Sequence, residues 1–252
     1  MESTSKHEGK NAMTRRAAVS SLAAAGAMLA MGAASLPTKA HADETAALPA
    51  ATGFSLPDGL TLASDGTLGD VLVVVDMQNA YLEDQCWACT RTTSCAQVVA
   101  GLIDDAVCDN VVFTEYLAPE NPVGTWVTYN EVNAEVNADE WLNEIIDSLK
   151  PYAEKYPLYS KSTYSSFGNP DFKALMARAG RIVLAGVVSE CCVVATAFDA
   201  IDTGTPVVYL TDACSGCSEE NEQMIETLMC TFSPTHTAVM TSEEYTALKQ
   251  AQ

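Results

Sequence analysis

Short apolar runs alternate with amphipathic segments along the chain after residue 68. The runs are rich in Val, Ile and Leu, which predicts strands, and the segments between them have apolar residues at helical spacing. Several of these segments open with a capping Ser, Asp or Asn. The predicted strands cover residues 71–77, 110–116, 157–161, 181–187, 205–212 and 236–242, and the predicted helices cover residues 94–107, 139–156, 169–180, 190–204, 218–232 and 242–250.

Regular alternation of strands and helices is typical of a parallel sheet that is buried on both faces. We therefore predict one α/β domain over residues 69–252, with a mostly parallel six-stranded sheet and helices on both faces, a Rossmann-like three-layer sandwich. Residues 43–68 are poor in periodic signal and rich in Ala, Gly, Pro and Thr, which predicts an extended arm or linker. Ligands of such sheets bind beyond the carboxyl ends of the strands, so polar residues there are the candidate site.

The first 42 residues have the layout of an export signal. A polar, positive start ends in a twin arginine at positions 15 and 16, an uncharged run follows, and residues 40–42 form a small-x-small site. This layout predicts export to the periplasm, cell envelope or extracellular space by the twin-arginine route, with cleavage before Asp43. A retained membrane anchor is the alternative, because about 20 uncharged residues can span a bilayer. The Ala, Gly and Ser content favours cleavage, without stable membrane insertion afterwards.

Charge and histidine content narrow the classes of partner and chemistry. The chain has 13 Lys and Arg against 33 Asp and Glu, a formal net charge of −20, so nucleic acid and anionic membranes are repelled. We expect a small-molecule substrate. His7 and His41 lie in the predicted signal, which leaves His236 and excludes zinc sites built from several imidazoles.

Three strand-end residues form a chemically sensible set. Asp76 ends an apolar run, Lys161 ends the third predicted strand, and Cys192 follows the fourth strand near the start of a helix. A helix N-terminus and an ammonium both favour a thiolate, and a carboxylate can accept the thiol proton. Taken singly, each residue also has a structural explanation: Asp76 as a helix cap, Lys161 as a solvated strand end, and Cys192 as a buried apolar residue.

Together, the motifs around these residues resemble the isochorismatase-like cysteine hydrolases, a family that includes nicotinamidases and N-carbamoylsarcosine amidase. The resemblance covers roughly residues 69–245. VVVDMQNAYL is similar to the family's strand that ends in the catalytic aspartate, here Asp76, and KSTYSSF is similar to its lysine motif, here Lys161. GVVSECCVVATAFDA resembles the nucleophile motif, in which the cysteine follows the glycine by six residues; this register selects Cys192 and makes Cys191 a neighbour.

The resemblance implies a mechanism in which the thiolate of Cys192 attacks a carbonyl and forms a thioester that water then hydrolyses. It also implies a cis peptide bond between Val187 and Val188, and an oxyanion hole made by the backbone N–H groups of Val188 and Cys192. Polar and aromatic residues of the same motifs are candidates for the substrate pocket: Gln78, Tyr81, Glu115, Tyr164 and Phe167.

Two departures from the family narrow the predicted reaction. The segment FTEYLAPENPVGTW has no histidine where nicotinamidases carry metal ligands, and vinyl-ether-cleaving isochorismatases commonly lack the nucleophilic cysteine. We therefore predict an exported cysteine hydrolase that cleaves a C–N bond of a small amide, ureido or carbamoyl compound. No cofactor is expected, and the family implies a homo-oligomer. The alternatives are an exported thiol–disulfide oxidoreductase, a metal–thiolate protein, and an isochorismatase-type hydrolase of a vinyl ether.

Two CxxC motifs lie outside the family pattern. Cys86 and Cys89 form the first, Cys214 and Cys217 form the second, and each motif follows a strand end by a few residues. Three interpretations stay open: disulfide bonds, a structural zinc held by the four thiolates, and a redox pair. Disulfides are favoured for an exported chain. Cys95 and Cys230 fall in predicted helices and Cys108 directly follows one, and all three are assigned to the core.

Overall fold

A six-stranded sheet organises the chain in the computed structural model, which describes residues 36–39 and 55–251. The strands run in the order β3-β2-β1-β4-β5-β6 and every pairing is parallel. The predicted parallel α/β sheet is therefore confirmed. Most of the predicted signal and residues 43–54 of the predicted arm lie outside the described residues. The strands are β1 Asp70–Val75, β2 Asn110–Tyr116, β3 Leu158–Lys161, β4 Arg181–Val187, β5 Val207–Ser215 and β6 Thr237–Met240.

The central strands are apolar throughout because both of their faces are buried. All six residues of β1 and all seven of β4 are buried. Alternate side chains of a strand point to opposite faces, so Leu72 and Val74 belong to one core cluster and Val71 and Val73 to the other. Each buried Val or Leu side chain contributes about 1.5–3 kcal/mol, which makes this pair of strands the most strongly held part of the sheet.

Helices cover both faces of the sheet. One core cluster contains buried side chains of α1 and α9, and the other contains those of α6, α7 and α8. A tight π-helical turn, Ser189–Val193, precedes α7, and single 3₁₀ turns span Asn79–Tyr81 and Ser166–Gly168. The helices are α1 Thr92–Asp104, α2 Thr125–Val132, α3 Ala134–Ala138, α4 Glu140–Asn143, α5 Lys150–Ala153, α6 Pro170–Met176, α7 Val194–Asp202, α8 Glu219–Cys230 and α9 Ser242–Gln250.

The predicted helix over residues 139–156 is wrong as a single element. Its middle is irregular and pairs with the chain that follows β1: Asn79 N donates to Glu144 O at 2.9 Å and Ile146 N donates to Met77 O at 2.9 Å. These bonds, which join residues far apart in sequence, satisfy backbone groups that a continuous helix would use internally. Residues 125–138, which form α2 and α3, have no predicted helix.

Residues 55–69 contain no helix or strand, yet they pack on the domain. The Asn110 side chain accepts a hydrogen bond from Thr61 N at 2.7 Å and donates to Leu68 O at 2.6 Å, and Leu60 and Leu68 are buried. This part of the predicted arm is therefore a packed segment. No helix in the described residues is long and apolar enough to cross a membrane.

A polar cluster closes the sheet at the amino-terminal ends of its strands. Arg181 donates two hydrogen bonds to the carboxylate of Asp70, at 2.8 and 2.9 Å, and the Tyr245 hydroxyl donates a third at 2.6 Å. Burial alone would raise the pKa of Asp70, but the hydrogen bonds from Arg181 and Tyr245 outweigh it and hold the pKa below its ordinary value. The cluster joins β1, β4 and α9.

Candidate active site

Three strand-end side chains meet at the carboxyl edge of the sheet. Asp76 directly follows β1, Lys161 is the last residue of β3, and Cys192 lies in the turn after β4. Lys161 Nζ lies 2.6 Å from Asp76 Oδ2 and 3.4 Å from Cys192 Sγ. The three residues are at most 3 % exposed, so this set of ionisable groups is shielded from water. The structure thus brings together the trio that the motifs select.

The two carboxylate oxygens of Asp76 have different surroundings. Oδ1 accepts a hydrogen bond from Thr114 Oγ1 at 2.8 Å, and the Asp76 backbone N–H donates to Thr114 O at 3.1 Å. Oδ2 forms the ion pair with Lys161, and no hydrogen bond of regular geometry from the described residues reaches it. Thr114 therefore fixes the carboxylate through one oxygen and leaves the other oriented toward the lysine and the thiol.

Lys161 is held as a buried cation. Its ammonium donates to Thr163 O at 2.9 Å and lies 5.7 Å from the centre of the Tyr116 ring. Burial opposes the charged form, but the Asp76 carboxylate and the Cys192 sulfur outweigh burial and raise the pKa of Lys161 above its ordinary value. The lysine is therefore charged at neutral pH and cannot serve as a proton acceptor.

The Cys192 thiol is protonated in the resting site. Burial and the negative charge of Asp76 raise the pKa of Cys192 well above its ordinary value, although the Lys161 ammonium opposes them. These surroundings therefore favour the thiol form of Cys192 over the thiolate. Cys191 is half-buried and packs against both core clusters.

The turn that carries Cys192 depends on backbone geometry that few sequences tolerate. Gly186 has φ +115°, and a Cβ atom there would overlap the backbone of Val75 in the adjacent strand. The peptide bond between Val187 and Val188 is cis. Beyond the turn, Thr196 Oγ1 donates to Cys192 O at 2.8 Å and accepts a hydrogen bond from Ser166 N at 3.0 Å. Thr196 therefore joins the turn that carries Cys192 to the loop that follows Lys161.

Six aromatic rings form a contiguous group beside the trio, here called the aromatic cover: Tyr81, Trp87, Tyr116, Trp126, Tyr129 and Tyr164. Trp126 is central, with its ring centre 5.1 Å from that of Tyr129 and 5.0 Å from that of Tyr164. Both Trp126 and Tyr129 lie on α2, a helix with no buried residue. Part of the aromatic cover is therefore carried by a helix that has no buried residue.

The predicted pocket residues divide into two groups. Tyr81 and Tyr164 belong to the aromatic cover. The other three have structural partners: the Gln78 amide bonds to the Tyr116 and Asn143 backbones, Glu115 accepts from Ser160 Oγ at 2.6 Å, and Phe167 packs on Phe172 in the core.

Several residues of the site were absent from the sequence prediction. Thr114 and Tyr116 are alternate residues of β2, so their side chains point to the same side of the sheet at its carboxyl end. Trp126 and Tyr129 are three residues apart, so they share one face of α2. Both spacings are visible in the sequence, although neither indicates by itself that the residues face the trio.

The sequence carries the isochorismatase domain over residues 70–244, and the chain belongs to the isochorismatase family of hydrolases. Comparison with curated proteins finds no match. Among solved structures, a cysteine hydrolase from Pseudomonas syringae pv. phaseolicola 1448A is similar, with 20 % identity, 72 % of this chain and 92 % of that chain covered, and a TM-score of 0.61.

Two further solved structures share this fold at low identity. N-carbamoylsarcosine amidase from Thermoplasma acidophilum is 21 % identical, covers 69 % of this chain and 97 % of its own, and has a TM-score of 0.54. Pyrazinamidase of Pyrococcus horikoshii, solved in complex with zinc, is 23 % identical, with coverages of 68 % and 98 % and a TM-score of 0.52. Similarity at this level shows the shared fold.

The zinc in the Pyrococcus protein raises the question of a metal here. The described residues contain no group of three or more His, Cys, Asp and Glu side chains that could hold a metal ion. His236 precedes β6, at the opposite end of the sheet from Lys161, and the segment after β2 has no histidine. The donors present at this edge of the sheet therefore do not fit a histidine-based metal site.

The CxxC motifs do not assemble as the zinc interpretation requires. Cys86 is exposed, whereas Cys214 is buried with its sulfur 3.4 Å from Leu184 O. All nine cysteines are free thiols, so the structure contains no disulfide. Disulfide bonding, which the sequence favours for these motifs, is not shown by the structure and stays a prediction.

Proposed function

We propose that the protein is a cysteine hydrolase that cleaves a C–N bond of a small amide, ureido or carbamoyl compound, with Asp76, Lys161 and Cys192 as catalytic residues. The observation that carries the proposal is the position of the Lys161 ammonium, 2.6 Å from the carboxylate of Asp76 and 3.4 Å from the sulfur of Cys192. A nucleophile and a proton acceptor that both contact one cation are the groups that thiol-based acyl transfer needs.

The first step follows from the unequal surroundings of the Asp76 oxygens. Oδ2 accepts the Cys192 proton while the sulfur attacks the substrate carbonyl, and Oδ1 stays bonded to Thr114. Lys161 offsets the negative charge on either the carboxylate or the sulfur, so proton transfer moves charge between two neighbours of one cation. This arrangement makes thiolate formation feasible although burial and Asp76 raise the pKa of the resting Cys192 thiol.

The remaining steps return the site to its starting state. The backbone N–H groups of Val188 and Cys192 are proposed to stabilise the oxyanion that forms on the carbonyl oxygen. Asp76 gives its proton to the departing nitrogen, which leaves as ammonia or an amine, and a thioester to Cys192 remains. Asp76 then accepts a proton from water, the hydroxide displaces the sulfur, and the thiol recovers its proton as the acid product leaves.

The aromatic cover supports a small substrate with an apolar or planar part. Its rings present apolar walls, and their polar edges can fix the orientation of a bound group. Tyr164 is the outermost predicted pocket residue of the cover, with 40 % of its surface exposed. A compact amide or ureide suits a buried trio beside aromatic rings better than a polymer.

A screen for ammonia or amine release from small amides, ureides and carbamoyl compounds tests the proposal. Cys192→Ala is expected to lower turnover at least about 10³-fold, because it removes the nucleophile. Cys191→Ala is the matched control, since it deletes the adjacent thiol and is expected to retain most activity. Rapid quenching of the wild type should show an acyl adduct on Cys192 by mass spectrometry.

Two outcomes would contradict this assignment. Equal loss of turnover in the two alanine variants would mean that the damage is structural. Release of an enol-derived product from a vinyl ether, without any amine, would assign the isochorismatase-type reaction instead. The oxidoreductase alternative has less support, because burial raises the pKa of Cys89 well above its ordinary value and leaves it a poor nucleophile.

We also propose that the protein is exported and self-associates. The twin arginine, the uncharged run and the small-x-small site support export by the twin-arginine route. Leu36 is buried and Pro37 O accepts a hydrogen bond from Arg181 at 3.4 Å, so cleavage before Asp43 would remove these contacts. Val123 and Val132, beside and on α2, are 75 % and 78 % exposed and favour self-association. Cell fractionation with N-terminal sequencing, and light scattering, test the two parts.

A further inference from the structure

The loops that follow β1 and β5 are joined beside the nucleophile turn. Thr90 N donates to Gly216 O at 3.0 Å, so the two backbones lie a single hydrogen bond apart. Glu222 of α8 anchors both loops, since it accepts hydrogen bonds from Thr90 Oγ1 at 2.6 Å and from Gly216 N at 2.8 Å. The pairing of these loops is therefore fixed by several independent contacts.

Cys89 and Cys217 flank this junction, one directly before Thr90 and the other directly after Gly216. The Cys217 thiol is among the groups that raise the pKa of Cys89, so the two side chains are near neighbours at this junction. The contact crosses between the two CxxC motifs, whereas within each motif one cysteine is exposed and the other is buried. Two backbones that are hydrogen-bonded one residue away from each cysteine place the side chains where a disulfide can form without large backbone movement.

Glu190 places a carboxylate at the same junction. Its Oε1 accepts hydrogen bonds from Cys217 N at 3.0 Å and Asn221 Nδ2 at 2.6 Å, and the nearby carboxylate raises the pKa of the Cys217 thiol. Its Oε2 is buried with no hydrogen-bond partner in the described part of the chain. A thiolate beside this carboxylate is unfavourable, but a neutral disulfide is compatible with it, so the surroundings favour the oxidised pair over an ionised one.

We propose that Cys89 and Cys217 form a disulfide that clamps the loop after β1 to the loop after β5. The Cys217 thiol is the exposed one, so after losing its proton it attacks a small-molecule disulfide, forms a mixed disulfide and releases one thiol. The Cys89 sulfur then loses its proton and displaces the second thiol. Two protein thiols are thereby oxidised by two electrons, and the small-molecule disulfide is reduced to two thiols that carry the protons.

The acidity of the two thiols distinguishes this bond from a catalytic redox pair. Burial and the neighbouring Glu190 raise the pKa of Cys217 to about 11, and burial raises that of Cys89 further. Redox-active cysteines have lowered pKa values, so this pair exchanges slowly at neutral pH. A bond that forms slowly and then persists is typical of a structural disulfide in an oxidising compartment.

Peptide mapping of the full-length protein after exposure to oxidised glutathione at pH 8.5 tests the proposal. The expected result is the loss of two alkylatable thiols, a cross-linked peptide that joins Cys89 to Cys217, and a rise in melting temperature of about 5–10 °C. Cys217→Ser should abolish the cross-link and the rise. Cys86→Ser, which changes the exposed cysteine of the first motif, is the matched control and should preserve both.

The rate at which the wild-type thiols are oxidised gives a second measurement, and it does not depend on how a variant folds. The oxidation rate of the wild type should increase roughly 100-fold between pH 7 and pH 9, because the thiolate fraction of Cys217 increases by that factor. Glu190→Gln should accelerate oxidation at neutral pH, about threefold for each tenfold gain in thiolate, and give the same product.

Three results would overturn the disulfide. These are a cystine within either CxxC motif, a mixed disulfide that persists on Cys217, and an unchanged thiol count after prolonged exposure. None of these measurements uses turnover of an amide, so the disulfide can fail while the proposed hydrolase stands, and the reverse.

Discussion

Lys161→Met is the substitution that most directly tests the charge arrangement of the site. It removes the ammonium that lies 2.6 Å from Asp76 and leaves the length of the side chain nearly unchanged. Both side chains are 0 % exposed, so the carboxylate would remain in the interior without its cation. Removing one partner of a buried ion pair costs about 3–5 kcal/mol, because the remaining charge is uncompensated.

This cost translates into a measurable change in unfolding. With a urea m-value of about 2–3 kcal/mol/M, the unfolding midpoint of Lys161→Met should fall by about 1–2 M. The double variant Asp76→Asn, Lys161→Met removes both charges, so its midpoint should lie closer to that of the wild type than the midpoint of Lys161→Met. The coupling energy of this double-mutant cycle is expected to be about 2–3 kcal/mol.

Two comparisons make the reasoning refutable. Lys150→Met removes an exposed lysine that pairs with Glu144 at 2.7 Å and should leave the midpoint unchanged, because exposed pairs are screened by water. Additive effects of Asp76→Asn and Lys161→Met on the unfolding free energy would show that the two residues are not a mutually dependent pair. A change of less than about 0.3 M in the midpoint of Lys161→Met would contradict the burial cost.

Three further predictions follow from other contacts. Gly186→Ala should cost more than about 3 kcal/mol in thermal unfolding, because φ is +115° there and a Cβ would overlap the backbone of Val75. The lowered pKa of Asp70, where hydrogen bonds outweigh burial, means that its contribution to stability is present above the ordinary value of 3.8 and lost as the pH falls through the lower folded value. Asp70→Asn should therefore flatten the acid limb of urea midpoints measured from pH 5 to pH 2. Trp126→Ala removes a ring 5.0 Å from Tyr164 and should speed iodoacetamide labelling of Cys192 at least about tenfold; an unchanged rate would mean that the aromatic cover does not limit access.

The sheet could be predicted from the sequence because burial on both faces leaves a strong local signal. The runs in β1 and β4 contain little but apolar residues, and their spacing along the chain already requires parallel connections. The prediction of a single helix over residues 139–156 is wrong for the opposite reason. The local sequence pattern of residues 139–156 is helical. In the structure, however, Ile145 forms an antiparallel bridge with Gln78, and the Gln78 amide donates to Asn143 O. These partners are too far apart in sequence for a local pattern to reveal the contact.

The site shows the same division between local and remote information. Asp76, Lys161 and Cys192 lie in motifs that can be identified one at a time. The partner of the carboxylate, Thr114, acts through β2, and its role depends on which strand is adjacent to β1. Gln78 is a pocket candidate by its position in the sequence. In the structure, the nitrogen and the oxygen of its side-chain amide both form hydrogen bonds with backbone atoms of neighbouring elements.

The cysteines show most clearly what spacing cannot tell. Each CxxC motif invites a pairing between its own members, as for Cys86 with Cys89. Cys89 and Cys217 are neighbours instead because of the strand order. Strands β1 and β5 both lie next to β4, which brings the loops that follow β1 and β5 close to each other. Sequence distance is a poor guide here, since the sheet order determines which loops are neighbours.

The order of the strands also determines how stable the candidate active site is compared with the rest of the fold. The carboxylate and the thiol are attached to β1 and β4, the two innermost strands, whereas the lysine ends β3, a four-residue strand at the outer margin with Leu158 38 % exposed. Outer strands detach at a lower free-energy cost than the centre. On heating, we therefore expect β3 and Lys161 to detach before the central strands unfold, and to dock again on cooling.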